Sequence, residues 1–127
     1  MSLEEWLQNG WLRLHRSSRE EIRNLLALCD RDLRDSRATN ISSDNRFIMA
    51  YNAALQAATA ALVASGYRTE KGDHHYRTLQ SLEFTIGAES KVVAQLDALR
   101  KKRSFNIYKQ ERHGVRAGTQ GNDPVSR

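Results

Sequence analysis

Two residue types that shape many small folds are almost missing from this chain. Its 127 residues include one cysteine, Cys29, and one proline, Pro124. A single cysteine excludes an internal disulfide framework and fits a reducing compartment. A lone proline at position 124 leaves nearly the whole chain free to be helical. No uninterrupted apolar run approaches the roughly 18 residues of a membrane span. The opening MSLEEWLQNG is acidic where a secretory leader would be basic. No glycine-rich phosphate loop is present, which argues against an NTPase, and no nucleophile elbow surrounds any serine. There is no internal repeat or heptad array. These absences predict one small, soluble, cytoplasmic domain with no membrane association and no cofactor.

The charge that is present is uneven. The net charge is +5. Residues 99–127 carry eight Lys or Arg against Glu111 and Asp123, a net of +6, so the rest of the chain is at −1. Such a concentration suits a polyanion, nucleic acid above all, and is also what a solvated tail looks like.

Read in order, the chain is a series of helices. Ser2 to Trp11 predicts a short helix, with Glu4 and Glu5 complementing its N-terminal dipole. Ser17 or Ser18 starts a second helix, since Glu20 and Glu21 complete a capping box with one or the other. Its inner stripe is Ile22, Leu25, Leu26, Cys29 and Leu33. Beyond the polar break 39–44, where Ser42, Ser43 or Asp44 can act as cap, Phe47, Tyr51, Ala54, Leu55, Ala58 and Leu62 define an alanine-rich helix. Alanine lets neighbours approach closely, so this helix is expected to be central. Gly66 stops it. A third helix over 74–86 points Tyr76, Leu79, Leu82 and Phe84 or Ile86 inward, with Asp73 as its cap and Gly87 at its end. A fourth begins near Glu89 and Ser90. No strand is predicted. The expected fold is all-α, an up-and-down four-helix bundle with a short extra N-terminal helix, in one domain over residues 1–113. Residues 114–127 have turn residues and no hydrophobic period, and read as a flexible basic tail.

The fourth helix holds the candidate site. Val92, Leu96 and Leu99 recur at helical spacing and predict a buried face. One step further along that stripe is Arg103, inside the run Arg100, Lys101, Lys102, Arg103 and followed by Asn106 and Tyr108. Cations at a helix C-terminus are stabilised by about 0.3–1 kcal/mol each, which accounts for most of the run. It does not account for a guanidinium on the core stripe, which must either snorkel out or line a cleft for an anion. Elsewhere the plain readings suffice. His74 and His75 point to different faces and lack a third ligand, so no metal site is predicted; one of them is expected to anchor a loop bordering the cleft. Cys29 reads as a buried, inert thiol. Tyr51 reads as core, and Asn52 as polar lining or exposed surface.

Three stretches taken together, SSDNRFIMAYNAALQAATAALVASGYR, KGDHHYRTLQSLEFTIG and LDALRKKRSFNIY, resemble a bacterial HEPN domain over about residues 15–108. The resemblance implies an all-α bundle that dimerises around a basic cleft. Many such proteins are metal-independent ribonucleases of toxin–antitoxin or other defence systems, and others accompany nucleotidyltransferases. Their signature is an arginine followed, a short way along the last core helix, by a histidine. The arginine maps to Arg103, with Arg100 as second choice, and the histidine position maps to Tyr108. His113 lies too far on, and Ser104 stands where related sequences often carry asparagine.

Metal-free RNA cleavage needs a base for the 2′-hydroxyl and a cation for the charged phosphorane. Arginine supplies the cation. Histidine, with a pKa of about 6.5, exchanges protons at neutral pH, whereas tyrosine, at about 10, is a poor base there. The resemblance therefore implies an RNA-directed homodimer with Arg103 and Tyr108 at its centre and Arg100, Lys102 and Asn106 as RNA or phosphate contacts. Whether it cleaves RNA weakly or only binds RNA or a nucleotide stays open. The alternatives are a non-catalytic module serving a nucleotidyltransferase or antitoxin partner, and a plain interaction bundle.

Overall fold

A computed structural model of the protein describes residues 1–118, and the side chains of residues 1–108 other than that of Asn106. The order is α1 (Leu3–Gln8), β1 (Leu12–Leu14), α2 (Arg19–Asp35), α3 (Ser43–Ala64), β2 (Tyr67–Thr69), α4 (His74–Gln80), α5 (Leu82–Thr85) and α6 (Ser90–Gly118). The class is all-α, with a small two-stranded ribbon at one side.

Serines start the first three helices. The Oγ atoms of Ser2, Ser18 and Ser42 accept from the backbone N–H groups of Glu5, Glu21 and Asn45 at 3.2, 3.0 and 3.0 Å. Each satisfies one donor that a helix N-terminus leaves without an intrahelical partner. The box at Ser18 has a second use for its acid. The Glu21 carboxylate takes His15 Nε2 at 2.8 Å and the Arg68 guanidinium at 3.6 Å. It thereby ties the start of α2 to the ribbon.

That ribbon departs from the strand-free expectation. β1 and β2 pair antiparallel, with Leu12 opposite Thr69 and Leu14 opposite Tyr67. Two more backbone bonds extend the ladder, Glu70 N–H to Trp11 O and His15 N–H to Gly66 O. Strands of three residues are too short to leave an alternating pattern, and their pairing joins segments far apart in the chain. The first helix consequently ends at Gln8 rather than Trp11. Its Trp6 is buried edge-on between Trp11 and Phe84, and Trp6 and Leu12 pack with Leu62 of α3.

α3 is central, as its alanines predict. It packs against α2, α4, α5, α6 and β2, with Ala53, Ala58 and Ala60 buried at those contacts. By length and composition it is also long and apolar enough to cross a membrane. This departs from the expectation drawn from uninterrupted apolar runs, because Asn52, Gln56 and Thr59 break the run without adding charge.

The third predicted helix is two. Ser81, fully buried between α4 and α5, donates its Oγ to Thr78 O at 2.6 Å. A serine hydroxyl bonded back to its own helix competes with the backbone ladder and marks the break. Leu79 and Leu82 point inward as expected, while Tyr76, Phe84 and Ile86 are exposed or half-exposed. Asp73 does not cap α4 through its side chain. It adopts a left-handed conformation (φ 39°) after Gly72 (φ 76°), and its carboxylate makes no cap bond. Aspartate tolerates this region better than most residues, and the pair makes the sharp turn that presents His74 and His75.

Two stripes are rotated from their predicted positions. On α6 the buried residue is Val93, with Leu96 packed beside it, while Val92 and Leu99 are about two-fifths exposed (40% and 38%). On α2, which packs principally along α3, Leu26 and Leu33 lie largely open. The most buried α2 side chain is instead Asp32. It accepts from Gln56 Nε2 at 2.9 Å and from Arg31, a polar clip between α2 and α3. α6 continues to Gly118, so residues 114–118 of the predicted tail are helical. The remainder of that tail, 119–127, lies outside the described residues.

Candidate functional site

Three helices bring their polar residues together around one tyrosine ring. Tyr51 of α3 is buried among Ala58, Leu79, Leu82 and Val93. The Arg103 guanidinium of α6 stands 5.6 Å from its ring centre, within cation–π reach. His75 of α4 lies on it as well, with ring centres 6.4 Å apart, and His74 meets His75 edge-on at 4.4 Å. Arg100, one turn before Arg103, lies over the ring of Tyr76 at 5.5 Å.

The two arginines differ in what holds them. Arg100 Nε donates to Asp97 Oδ1 at 2.7 Å, and Lys101 reaches the other oxygen of the same carboxylate at 3.6 Å. Arg103 pairs with no carboxylate among the described residues, and its Nε is buried without a hydrogen-bond partner. The Tyr51 hydroxyl is also buried, with no hydrogen-bond partner among the described residues. Each such buried donor costs about 1–3 kcal/mol, and these two belong to side chains in contact through the Tyr51 ring. Both are hydrogen-bond donors, and the Arg103 guanidinium adds a positive charge.

Electrostatics tune the groups around them. Burial raises the Tyr51 phenol above its ordinary pKa, opposed by Arg103 and Arg100, so it remains a neutral donor. Burial, then the neighbouring His74, then Arg103 and Arg100 hold His75 below its ordinary value. It is therefore a neutral imidazole at pH 7, able to take up a proton. The site thus offers a cation, a neutral donor and a proton acceptor side by side. Among the described residues no group of three His, Cys, Asp or Glu could hold a metal ion.

The site residues predicted from sequence are placed unequally. Arg103 and Arg100 both belong to the cluster. Lys102 turns toward α3, its Nζ 4.8 Å from the Phe47 ring centre. Tyr108, five residues after Arg103, is turned roughly 140° from it around α6 and is 54% exposed. The side chain of Asn106 lies outside the described residues. Sequence reasoning took Tyr51 for plain core, and left open which of His74 and His75 borders the cleft; the structure sets His75 against the Tyr51 ring. Tyr51 carries the same spacing signal as any core residue, and only the fold shows that its hydroxyl has no partner. The Gly72-Asp73-His74-His75 run offered a cue, because a sharp turn can aim a histidine inward.

His75 also borders a cavity of about 420 Å³ between α3, α4 and β2, floored by Leu55, Leu62 and Val63 and rimmed by Arg68, Lys71 and His74. No protein-family model, curated protein or solved structure matches the chain.

Proposed function

We propose that the protein is RNA-directed, a metal-independent ribonuclease of the HEPN type in which Arg103 and Tyr51 receive the phosphodiester and His75 moves the proton. The observation that carries this reading is the Arg103 guanidinium, with no carboxylate partner among the described residues, set on the Tyr51 ring beside a neutral histidine. In the reaction His75 takes the proton of the 2′-hydroxyl as its oxygen bonds to phosphorus. Arg103 and Tyr51 hold the non-bridging oxygens as charge builds on them, and the proton returns to the 5′-oxygen that leaves. The products are a 2′,3′-cyclic phosphate and a 5′-hydroxyl. His75 fills the role that tyrosine at position 108 performs poorly. Tyr108 and Lys102 then serve the flanking strand, through stacking and charge.

In this reading α2, α3, α4–α5 and α6 form an up-and-down bundle, and the chain acts in the cytoplasm as a homodimer. The exposed apolar residues Val92 and Leu99, on one stripe of α6, support a second copy there. A second reading, a non-catalytic module that binds RNA or a nucleotide for a nucleotidyltransferase or antitoxin partner, is favoured by Tyr108 alone. The two are separated by incubating the protein and its Arg103→Ala variant with a mixed RNA pool in EDTA. Cleavage by the parent alone is expected. No cleavage by either protein moves the weight to the binding module.

A further inference from the structure

We infer that the cavity between α3, α4 and β2 is a nucleoside subsite, taking the base of one ribonucleotide whose phosphate lies toward Arg103. The inference rests on the RNA-directed reading and extends it to a place nothing else assigns. Three observations carry it.

The first is shape and lining. A cavity of about 420 Å³ falls in the range that small organic ligands occupy, roughly 300–1,000 Å³. Its lining is apolar at Leu55, with Leu62 and Val63 fully buried behind it, and Thr59, whose hydroxyl donates to Leu55 O at 2.8 Å, stands alongside. A base presents flat apolar faces and a polar edge; Leu55 suits the first, and the Thr59 hydroxyl oxygen, which can still accept, suits the second.

The second is charge at the rim. Two of the three cations there are already paired, Arg13 with Glu70 at 3.5 Å and Arg68 with Glu21 at 3.6 Å. Lys71 has no ion-pair partner among the described residues and is exposed beside the mouth, next to the exposed His74. A rim with spare positive charge over an apolar floor selects an anionic ligand with an apolar body. A nucleoside phosphate is such a ligand, and neither a neutral lipid nor an inorganic ion is.

The third is continuity. His75 is at once a wall of the cavity and a neighbour of the Tyr51 ring on which Arg103 sits. A base seated at Leu55 therefore shares its cavity with the imidazole that is to accept the 2′-proton.

The test is a titration of the protein followed by NMR of its amides, methyl groups and histidine rings. The probes are adenosine, guanosine, cytidine and uridine monophosphates, ribose 5-phosphate and inorganic phosphate. Mononucleotides are expected to shift the methyl signals of Leu55, Leu62 and Val63 together with His75. Ribose 5-phosphate and inorganic phosphate should shift His75 and α6 only. Lys71→Ala, a change at an exposed loop position, should weaken mononucleotide binding by about fivefold, the scale of one rim charge. Thr59→Leu, which fills the floor, should abolish the methyl shifts while inorganic phosphate still binds. Mononucleotides that leave the floor untouched while shifting α6 overturn the subsite and leave the RNA-directed reading standing. Floor shifts in a protein that never cleaves RNA uphold the subsite and remove the ribonuclease.

Discussion

Arg103 and Tyr51, on α6 and α3, meet with guanidinium and ring centre 5.6 Å apart, and each buries a polar atom that has no hydrogen-bond partner among the described residues. A packing pair would be expected to shed those polar atoms. Arg103→Met keeps the stem and removes the orphaned donor, whose burial costs about 1–3 kcal/mol. It also loses a cation–π contact of about 0.5–1 kcal/mol. The variant should therefore match or exceed the parent in thermal stability and lose RNA cleavage and binding. Destabilisation by several kcal/mol with RNA binding intact would make Arg103 a structural residue.

His75 gives a pH signature. Its folded pKa is depressed, so the unfolded chain binds the extra proton more readily. The group costs no stability above its ordinary value of about 6.5. As pH falls from there through the folded value, stability declines. An anion seated between His75 and Arg103 screens the arginines and favours imidazolium, so inorganic phosphate should raise the His75 pKa. Histidine-ring NMR titrations with and without phosphate measure both effects. A His75 pKa at or above the ordinary value in the free protein, or one indifferent to phosphate, would sink its proposed role.

The helices were legible because each rests on local signals that survive folding. Ser18 and Ser42 cap as their sequence context predicts, and Gly66 ends α3. The ribbon was not, since its pairing depends on Trp11 and Glu70 meeting across nearly half the chain. The exact face of α6 was not legible either. Val92 and Val93 are equally apolar, and only the position of α4 and α3 decides that Val93 turns inward. Arg103 stood out as a cation on a core stripe, but its partners came from other helices. Tyr51 looked like plain core, and His75 like a loop anchor.

Glu21 links three segments, so neutralising it should loosen the N-terminal portion before the core. His15, more than burial, governs its carboxyl, which sits below its ordinary value of 4.5. The carboxylate contribution is present above that value and is lost as pH falls through the folded pKa. Glu21→Gln should speed amide exchange in β1 and β2 and change Trp6 and Trp11 fluorescence, with α3 exchange unaltered. Uniform acceleration across α3 and α6 would show that Glu21 holds the whole fold rather than the ribbon.

Asp97 restrains Arg100, and releasing it tests which arginine meets the anion. Its carboxylate holds Arg100 Nε at 2.7 Å and Lys101 Nζ at 3.6 Å. It is the negative charge nearest those cations among the described ion pairs. Asp97→Asn removes that charge and leaves an amide oxygen that can still accept from Arg100. RNA affinity should rise several-fold at low salt, with a steeper dependence on ionic strength, because an additional cation becomes available for phosphate. Arg100→Ala acts in the opposite direction, since it leaves Asp97 partly unpaired next to the bound phosphate. It should therefore weaken binding more than Lys101→Ala does, although both remove one charge. Equal losses from the two alanine variants would mean that these cations act only as diffuse charge and that Arg103 binds the anion alone.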